Sequence, residues 1–199
     1  MKKHRLSGWL AFGVCCSVLI GCTPAARVKN AAAAPVATRA PLTVQQVNDA
    51  QQAWCDSLVN IAKTYAAGGD YKTVAAAVLS NQYNYDYGTV LFKPTLAFGD
   101  QTFRLNKEGA AAYFIGGNPK YPDDNGFALK PWVACRYTNA GGGAGVLIDG
   151  DFAATMGNVF LTDAKGNETV VDKFFAFKRS ADGKLRIIVH KSALPFTPK

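Results

Sequence analysis

The hydrophobic pattern of this chain changes its period once, and that change limits the folds open to it. From Val47 to Tyr65, apolar side chains recur every three or four positions, which predicts one long amphipathic helix. A capping-box signal at Thr43 and Gln46 precedes this helix, and Gly68-Gly69 follows it. Shorter segments between this helix and residue 132 predict two further helices and one strand: Tyr71–Leu79, Thr89–Ala97 (the strand) and Asn106–Phe114.

From Trp132 onward the pattern is that of strands separated by glycine-containing turns. The predicted strands are Trp132–Thr138, Gly145–Ile148, Phe152–Thr162, Thr169–Arg179 and Leu185–Lys191. Helices followed by an antiparallel meander predict an α+β domain in which the helices pack on one face of a curved sheet. Such an arrangement forms a blind cone, and the inside of a cone is a place where pockets form.

The N-terminus predicts export. Basic residues in Met1–Arg5 precede the apolar run Gly8–Ile20, which is shorter than the roughly 20 residues of a membrane span. The run ends in Leu19-Ile20-Gly21-Cys22, which resembles a bacterial lipobox and implies cleavage after residue 21 and lipidation of Cys22. An ordinary signal peptide with an incidental cysteine, or an uncleaved anchor, is the alternative.

Residues 22–42 are rich in alanine and proline and predict a flexible tether ahead of a folded domain at 43–199. Thr23, directly after the lipidated cysteine, favours the outer membrane by analogy with other bacterial lipoproteins. The expected location is therefore the bacterial cell envelope, on the periplasmic side and anchored by lipid.

Net charge does not indicate a nucleic-acid partner. The formal charge is +8, but Lys2, Lys3 and Arg5 belong to the leader, and the other basic residues are scattered. Two cysteines, Cys55 and Cys135, lie in the predicted domain. In an exported protein they either pair or remain as buried thiols, and the sequence leaves both alternatives open.

Several kinds of catalytic site are excluded by what the domain lacks. A catalytic zinc usually takes three protein ligands, and His190 is the only histidine beyond the leader. A set made of Cys55, Cys135 and His190 has none of the usual ligand spacing. A G-x-S-x-G elbow, a G-x-G-x-x-G loop and a Walker loop are all missing from the sequence. We therefore expect no metal cofactor, with zinc as the alternative.

The last strand places polar side chains on a wall of the predicted cone. Period-2 alternation puts four side chains on one face: Arg186, Ile188, His190 and Ser192. On this face His190 and Ser192 are neighbours near the end of the strand. Such a histidine either serves a pocket or is simply a hydrogen-bonded group at a sheet edge.

Four separated motifs resemble the iota-class carbonic anhydrases, within the nuclear-transport-factor-2-like superfamily. They are Phe92-Lys93-Pro94-Thr95, Ala111–Gly117, Gly126–Trp132 and Val189–Phe196. The resemblance spans residues 47–196. It implies a cone-shaped α+β fold, a homodimer formed through the sheet, and interconversion of carbon dioxide and bicarbonate without metal in some members. By position it also implies the pocket residues, which are Thr95, Tyr113, His190 and Ser192.

One motif departs from the family pattern. The family reads His-His-Ser-Ser where this chain reads His190-Lys191-Ser192-Ala193. By alternation the two changed positions face away from His190 and Ser192, so we expect Lys191 outside the pocket.

Chemistry assigns a role to each predicted site residue. Without a metal to acidify water, a protein base is needed, and the imidazole of His190 is the candidate. The phenol of Tyr113 is too weak a base, so we expect it to orient substrate together with the hydroxyls of Thr95 and Ser192. Arg136 and Arg186 would add positive potential if they lay near the cavity. The competing interpretations are a non-catalytic binding or assembly domain, and another enzyme of the same fold such as an isomerase or dehydratase.

Overall fold

The computed structural model describes residues 39–198. The predictions for the signal peptide at 1–21, for Cys22 and for most of the tether lie outside the described residues. Within the described part, contacts with the domain begin earlier than residue 43. The Arg39 guanidinium donates to the carbonyls of Ser180 and Ala181 at 3.3 and 2.9 Å, and the Leu42 side chain is buried.

Three helices form the first layer. Helix α1 spans Val44–Ala66, α2 spans Tyr71–Gln82 and α3 spans Lys107–Ile115. The capping box at the start of α1 is complete: the Thr43 hydroxyl accepts from the Gln46 amide at 3.2 Å, and the Gln46 side chain accepts from the Thr43 amide at 3.0 Å. No helix in residues 39–198 combines the length and the apolar character that crossing a bilayer requires.

A six-stranded sheet forms the second layer. Its strands are β1 Leu91–Lys93, β2 Trp132–Asn139, β3 Val146–Asp149, β4 Phe152–Asp163, β5 Glu168–Arg179 and β6 Leu185–Ala193. The order is β1-β6-β5-β4-β2, and β3 also pairs with β4, so β2 and β3 follow one another along the same edge. All pairs are antiparallel except β1 with β6.

The edge strand β1 is shorter than predicted, and the reason is local. The sequence pattern extends from Thr89 to Ala97, but pairing with β6 stops at Lys93. The next residue, Pro94, has no amide hydrogen to donate to a neighbouring strand, so it ends the ladder. The chain is then free to leave the sheet at Thr95.

A β-bulge in β6 changes which side chains of this strand face the core. Ala176 of β5 pairs with Val189 and the next residue, Phe177, pairs with Ile187, which leaves Ile188 as an extra residue. Ile187 is consequently buried and Ile188 is not. The predicted placement of Ile188 and Arg186 on the face of His190 is therefore wrong, because simple alternation does not continue through a bulge.

The helices and the sheet enclose one hydrophobic core, as the α+β prediction required. Helix α1 packs on β2 and β6, and α2 packs on α1, α3 and β6. A disulfide joins Cys55 of α1 to Cys135 of β2, which settles the alternative that the sequence left open in favour of pairing. This bond closes a loop of 80 residues and ties the helical layer to the sheet.

Candidate active site

The imidazole of His190 lies inside the core, with only 2% of the residue exposed. The parallel pairing of β1 with β6 places Phe92 opposite His190, and the two rings stack with centroids 4.4 Å apart. The rings of Phe175 and Trp54 complete the enclosure, at 4.7 and 5.4 Å. This apolar surround excludes water from the ring and strengthens each polar contact that the imidazole makes.

One side of the imidazole is held by a pair of hydrogen-bonding side chains from the helical layer. The Tyr83 hydroxyl lies 2.8 Å from Nδ1 of His190, and the indole Nε1 of Trp54 donates to that hydroxyl at 2.9 Å. Tyr83 follows the C-terminus of α2 and is fully buried. Both groups fix the orientation of the imidazole relative to Ser192.

The other side of the imidazole meets a triangle of polar atoms. Nε2 of His190 lies 3.0 Å from Oγ of Ser192 and 2.8 Å from Nζ of Lys173. Nζ of Lys173 in turn lies 2.6 Å from Oγ of Ser192 and 4.4 Å from the centre of the Trp54 ring. The prediction that His190 and Ser192 stand side by side is confirmed, and Lys173 and Tyr83 are the residues that sequence reasoning missed.

Burial controls the electrostatics of this triangle. It lowers the pKa of Lys173 well below the ordinary value of 10.5. Burial and the adjacent Lys173 also lower the pKa of His190 well below 6.5. Among residues 39–198, no Asp or Glu forms an ion pair with Lys173. Both groups therefore favour their neutral, basic forms.

The second predicted pair, Thr95 and Tyr113, lies on the other side of Phe92. The Tyr113 hydroxyl accepts from the amide of Leu96 at 3.4 Å, and burial raises its pKa to about 12, so the phenol keeps its proton at neutral pH. Tyr113 also lines a cavity of about 90 Å³ between the segment that follows Thr95 and the loop before β2.

The two pairs are adjacent but are not joined directly. The Phe92 ring contacts both, at 4.4 Å from the His190 centroid and 5.8 Å from that of Tyr113. Nζ of Lys93 connects their backbones by donating to the carbonyls of Ser192 and Thr95, at 3.2 and 3.4 Å. Within the described residues, no hydrogen bond runs directly from a side chain of one pair to a side chain of the other.

Three other basic residues lie away from this triangle. Arg136 pairs with Glu168 at 3.2 Å, and Arg186 forms two 2.8 Å hydrogen bonds with Asp182. Neither supplies charge to the imidazole, contrary to the role considered for them. Lys191 is exposed, as predicted from its position in the motif.

The disulfide also decides whether the cysteines are available as metal ligands. Cys55 and Cys135 are bonded to each other and cannot supply thiolates, so the set that they would form with His190 does not fit zinc. In the part of the chain that the structure describes, no three His, Cys, Asp or Glu side chains are grouped in a way that would hold a metal ion.

Comparison with known proteins gives close matches over most of the chain. A family model for metal-independent carbonic anhydrase matches residues 45–194, a range that contains every residue of the triangle. The metal-independent carbonic anhydrase of Nostoc sp. is 45% identical over 164 residues, which are 81% of this chain and 78% of that protein.

A solved structure agrees with the sequence matches. The crystal structure of the iota-carbonic anhydrase from a cyanobacterium, complexed with bicarbonate, gives a TM-score of 0.76 at 44% identity. That match covers 79% of this chain and 95% of the other. A putative dehydratase of the NTF2-like family from Streptomyces avermitilis is more distant, at 14% identity and a TM-score of 0.47 over 77% of this chain and 96% of the other.

Proposed function

This chain belongs to the metal-independent carbonic anhydrase family, and on that premise we propose that it interconverts carbon dioxide and bicarbonate at the site containing His190 and Ser192. It is accordingly a carbonic anhydrase that needs no metal cofactor. The observation that carries the site assignment is the buried contact between the imidazole and the Ser192 hydroxyl, inside the range that the family model matches.

Hydrogen-bond donors suit the substrate. Bicarbonate is a small planar anion whose oxygens accept hydrogen bonds, and the hydroxyl of Ser192 can rotate to supply one. On the other side of the Phe92 ring, the Thr95 hydroxyl and the phenol of Tyr113, which remains protonated, are further donors. Fixed donors in a site shielded from water stabilise the charge that develops on carbon dioxide as water attacks. The bicarbonate complex of the cyanobacterial relative supports this assignment.

The proton that water loses needs an acceptor. A metal-bound water can have a pKa near 7, whereas bulk water has about 15.7, so a site without metal must supply a base. His190 and Lys173 are the basic groups in contact with the Ser192 hydroxyl, and burial favours the neutral form of both. A pair of neutral nitrogen bases beside one hydroxyl meets the requirement.

The test is stopped-flow hydration of carbon dioxide by the protein, measured with and without a strong chelator. We expect activity that survives chelation and falls by about 10²-fold or more in His190→Ala and Ser192→Ala, the range for loss of an acid–base group. Lys191→Ala, which changes the exposed neighbour between them, should keep wild-type activity. If the wild type has no activity, the interpretation as a non-catalytic binding or assembly domain replaces this one. Activity abolished by chelation would refute the metal-free site.

The outer face of the sheet supports a homodimer. A cross-strand row on this face runs through five strands, and its end residues Leu91 and Leu147 are 53% and 58% exposed. The row consists of Leu91, Val189, Ala176, Ala154 and Leu147. Ala176 in the middle of the row is buried, and the exposed apolar side chains at its two ends favour burial against a second copy. We expect a dimer mass in light scattering, and Leu147→Asp should shift it to the monomer if the proposal is correct.

The remaining part of the proposal concerns location. The lipobox-like sequence before Cys22 supports attachment to the envelope, on the periplasmic side of the outer membrane. Metabolic labelling with a radioactive fatty acid should mark the wild-type protein and not Cys22→Ser. Equal labelling of both would contradict lipidation at this cysteine, and wild-type label in inner-membrane fractions would contradict the outer-membrane assignment.

A further inference from the structure

Lys173 is the feature of the site that the activity alone does not explain. Its side chain points into the core from β5, directly opposite Ser192 in the pairing of β5 with β6. The residue is 6% exposed. Burying an ammonium without a counter-ion costs several kcal/mol, so a lysine here needs a reason.

The hydrogen-bond partners of His190 distinguish the two protonation states of Lys173. An indole N–H only donates, so the Tyr83 oxygen accepts from Trp54. If Lys173 were an ammonium, Nε2 of His190 would have to accept from it and Nδ1–H would donate to Tyr83. The Tyr83 hydroxyl hydrogen would then have no partner in the core, which is an unfavourable arrangement for a fully buried group.

A neutral Lys173 leaves the Tyr83 hydroxyl hydrogen with a partner, while Nζ of Lys173 and Nε2 of His190, 2.8 Å apart, share no hydrogen bond of their own and the amine hydrogens face the Trp54 ring. The Tyr83 hydroxyl then donates to Nδ1 of His190, and Nε2–H donates to Oγ of Ser192 at 3.0 Å. The Ser192 hydroxyl donates to the amine lone pair of Lys173 at 2.6 Å, the shortest contact of the triangle. Every donor in this chain points the same way, from Trp54 to Lys173, and the chain ends on the unprotonated nitrogen.

We propose that Lys173 is a neutral amine that receives, through the Ser192 hydroxyl, the proton lost by water during hydration of carbon dioxide. This inference rests on the proposed function and names the proton acceptor within it. As the water oxygen bonds to the carbon, one C=O electron pair moves onto oxygen, the water proton passes to Oγ of Ser192, and the serine proton passes to Nζ of Lys173. Water, carbon dioxide and the amine become bicarbonate and the ammonium, which then loses its proton to solvent.

The surroundings of Lys173 suit an acceptor of this kind. The Trp54 ring at 4.4 Å and the Phe175 ring at 5.4 Å stabilise the ammonium once it forms. Burial lowers the pKa of Lys173, and this keeps the amine available between turnovers. A lysine that shifts between these two states is a recurrent general base in enzymes.

Few other titratable groups lie around this site, and they leave Lys173 as the base that is free to accept a proton. His190 contacts it from β6, and Tyr83 reaches His190 from the end of α2. Tyr137 of β2 approaches the Lys173 carbonyl at 3.5 Å, and burial raises its pKa to about 12. Lys93 of β1 contacts the Ser192 carbonyl. None of these is a carboxylate.

The decisive variants are Lys173→Arg and Lys173→Met. Arginine keeps the long stem and the donors but stays protonated, so it cannot accept a proton. We expect both variants to lose about 10²-fold or more in kcat with little change in KM, and to lose the alkaline rise of the pH–rate profile that reports this base. Lys178→Met, an exposed lysine on the same strand, is the matched control and should behave as wild type.

A measurement on the unmutated protein removes any dependence on how the variants fold. The chain has only two histidines, His4 and His190, so ¹⁵N-histidine labelling gives spectra that are easily assigned. We expect His190 to carry its proton on Nε2 at the pH of maximal hydration, and on Nδ1 in Lys173→Arg. An Nδ1–H tautomer in the active wild type would overturn the inference, as would Lys173→Arg with wild-type kcat. If the wild type hydrates no carbon dioxide, the proposed function itself fails.

Discussion

The stability of this protein should rise as the pH is raised from 7 to 9, because Lys173 is buried and no residue in 39–198 forms an ion pair with it. In the unfolded chain the lysine is protonated below about 10.4, whereas burial lowers the pKa of Lys173 in the folded protein. The unfolded state therefore binds more protons in this window, and the free energy of unfolding increases with pH. This gain in the free energy of unfolding is lost again as the pH falls toward the pKa of Lys173 in the folded protein.

The size of the effect follows from proton linkage. One proton bound on unfolding gives about 1.4 kcal/mol per pH unit, so a Lys173 that stays neutral in the fold contributes about 2.7 kcal/mol between pH 7 and 9. Two other buried groups of the site titrate outside this window. The lowered pKa of His190 changes the free energy of unfolding below about pH 6.5. The raised pKa of Tyr113 changes it above about pH 10.

Urea unfolding at pH 7, 8 and 9 measures this slope. The wild type and the control Lys178→Met should both gain stability with pH, and Lys173→Met should lose most of the gain while becoming more stable at pH 7. A wild-type slope near zero, or the same slope in Lys173→Met, would show that Lys173 is charged in the folded protein and would refute the reasoning.

Further predictions concern the groups that hold the site together. Replacing Cys55 and Cys135 by alanine opens the loop of 80 residues and should cost about 4.5 kcal/mol on the chain-entropy model, measured by urea unfolding, with added reductant having no further effect on this variant. Tyr83→Phe removes the partner of Nδ1 of His190 and should cost about 1–3 kcal/mol and slow hydration; unchanged values for both would show that the contact is unimportant. Phe92→Ala should cost about 3–5 kcal/mol in the same assay, and a loss below 1 kcal/mol would show that the ring is not packed as described.

The parts of the site that follow from local geometry could be predicted from the sequence. His190 and Ser192 are two residues apart in a strand, and such side chains share a face wherever the strand pairs. The helical and strand periods likewise determine the α+β architecture. Simple alternation failed at Ile188 and, beyond it, at Arg186, because a bulge adds a residue that no periodicity announces.

The missed parts depend on register and packing. Lys173 meets Ser192 because β5 and β6 pair in one particular register, and that register is a property of the assembled sheet. Alternation with Val171, Phe175 and Phe177 was a signal that Lys173 faces inward, since those neighbours are core residues. Tyr83 reaches His190 only after α2 has packed on β6.

The central claim is that buried side chains, without a bound metal, hydrate carbon dioxide. The most direct test uses NMR to observe the exchange of ¹³C between carbon dioxide and bicarbonate. The metal content of the protein is measured in the same sample. We predict fast exchange at substoichiometric metal content that is lost in Ser192→Ala. Exchange that rises in proportion to added zinc, or that persists unchanged in Ser192→Ala, would contradict the account.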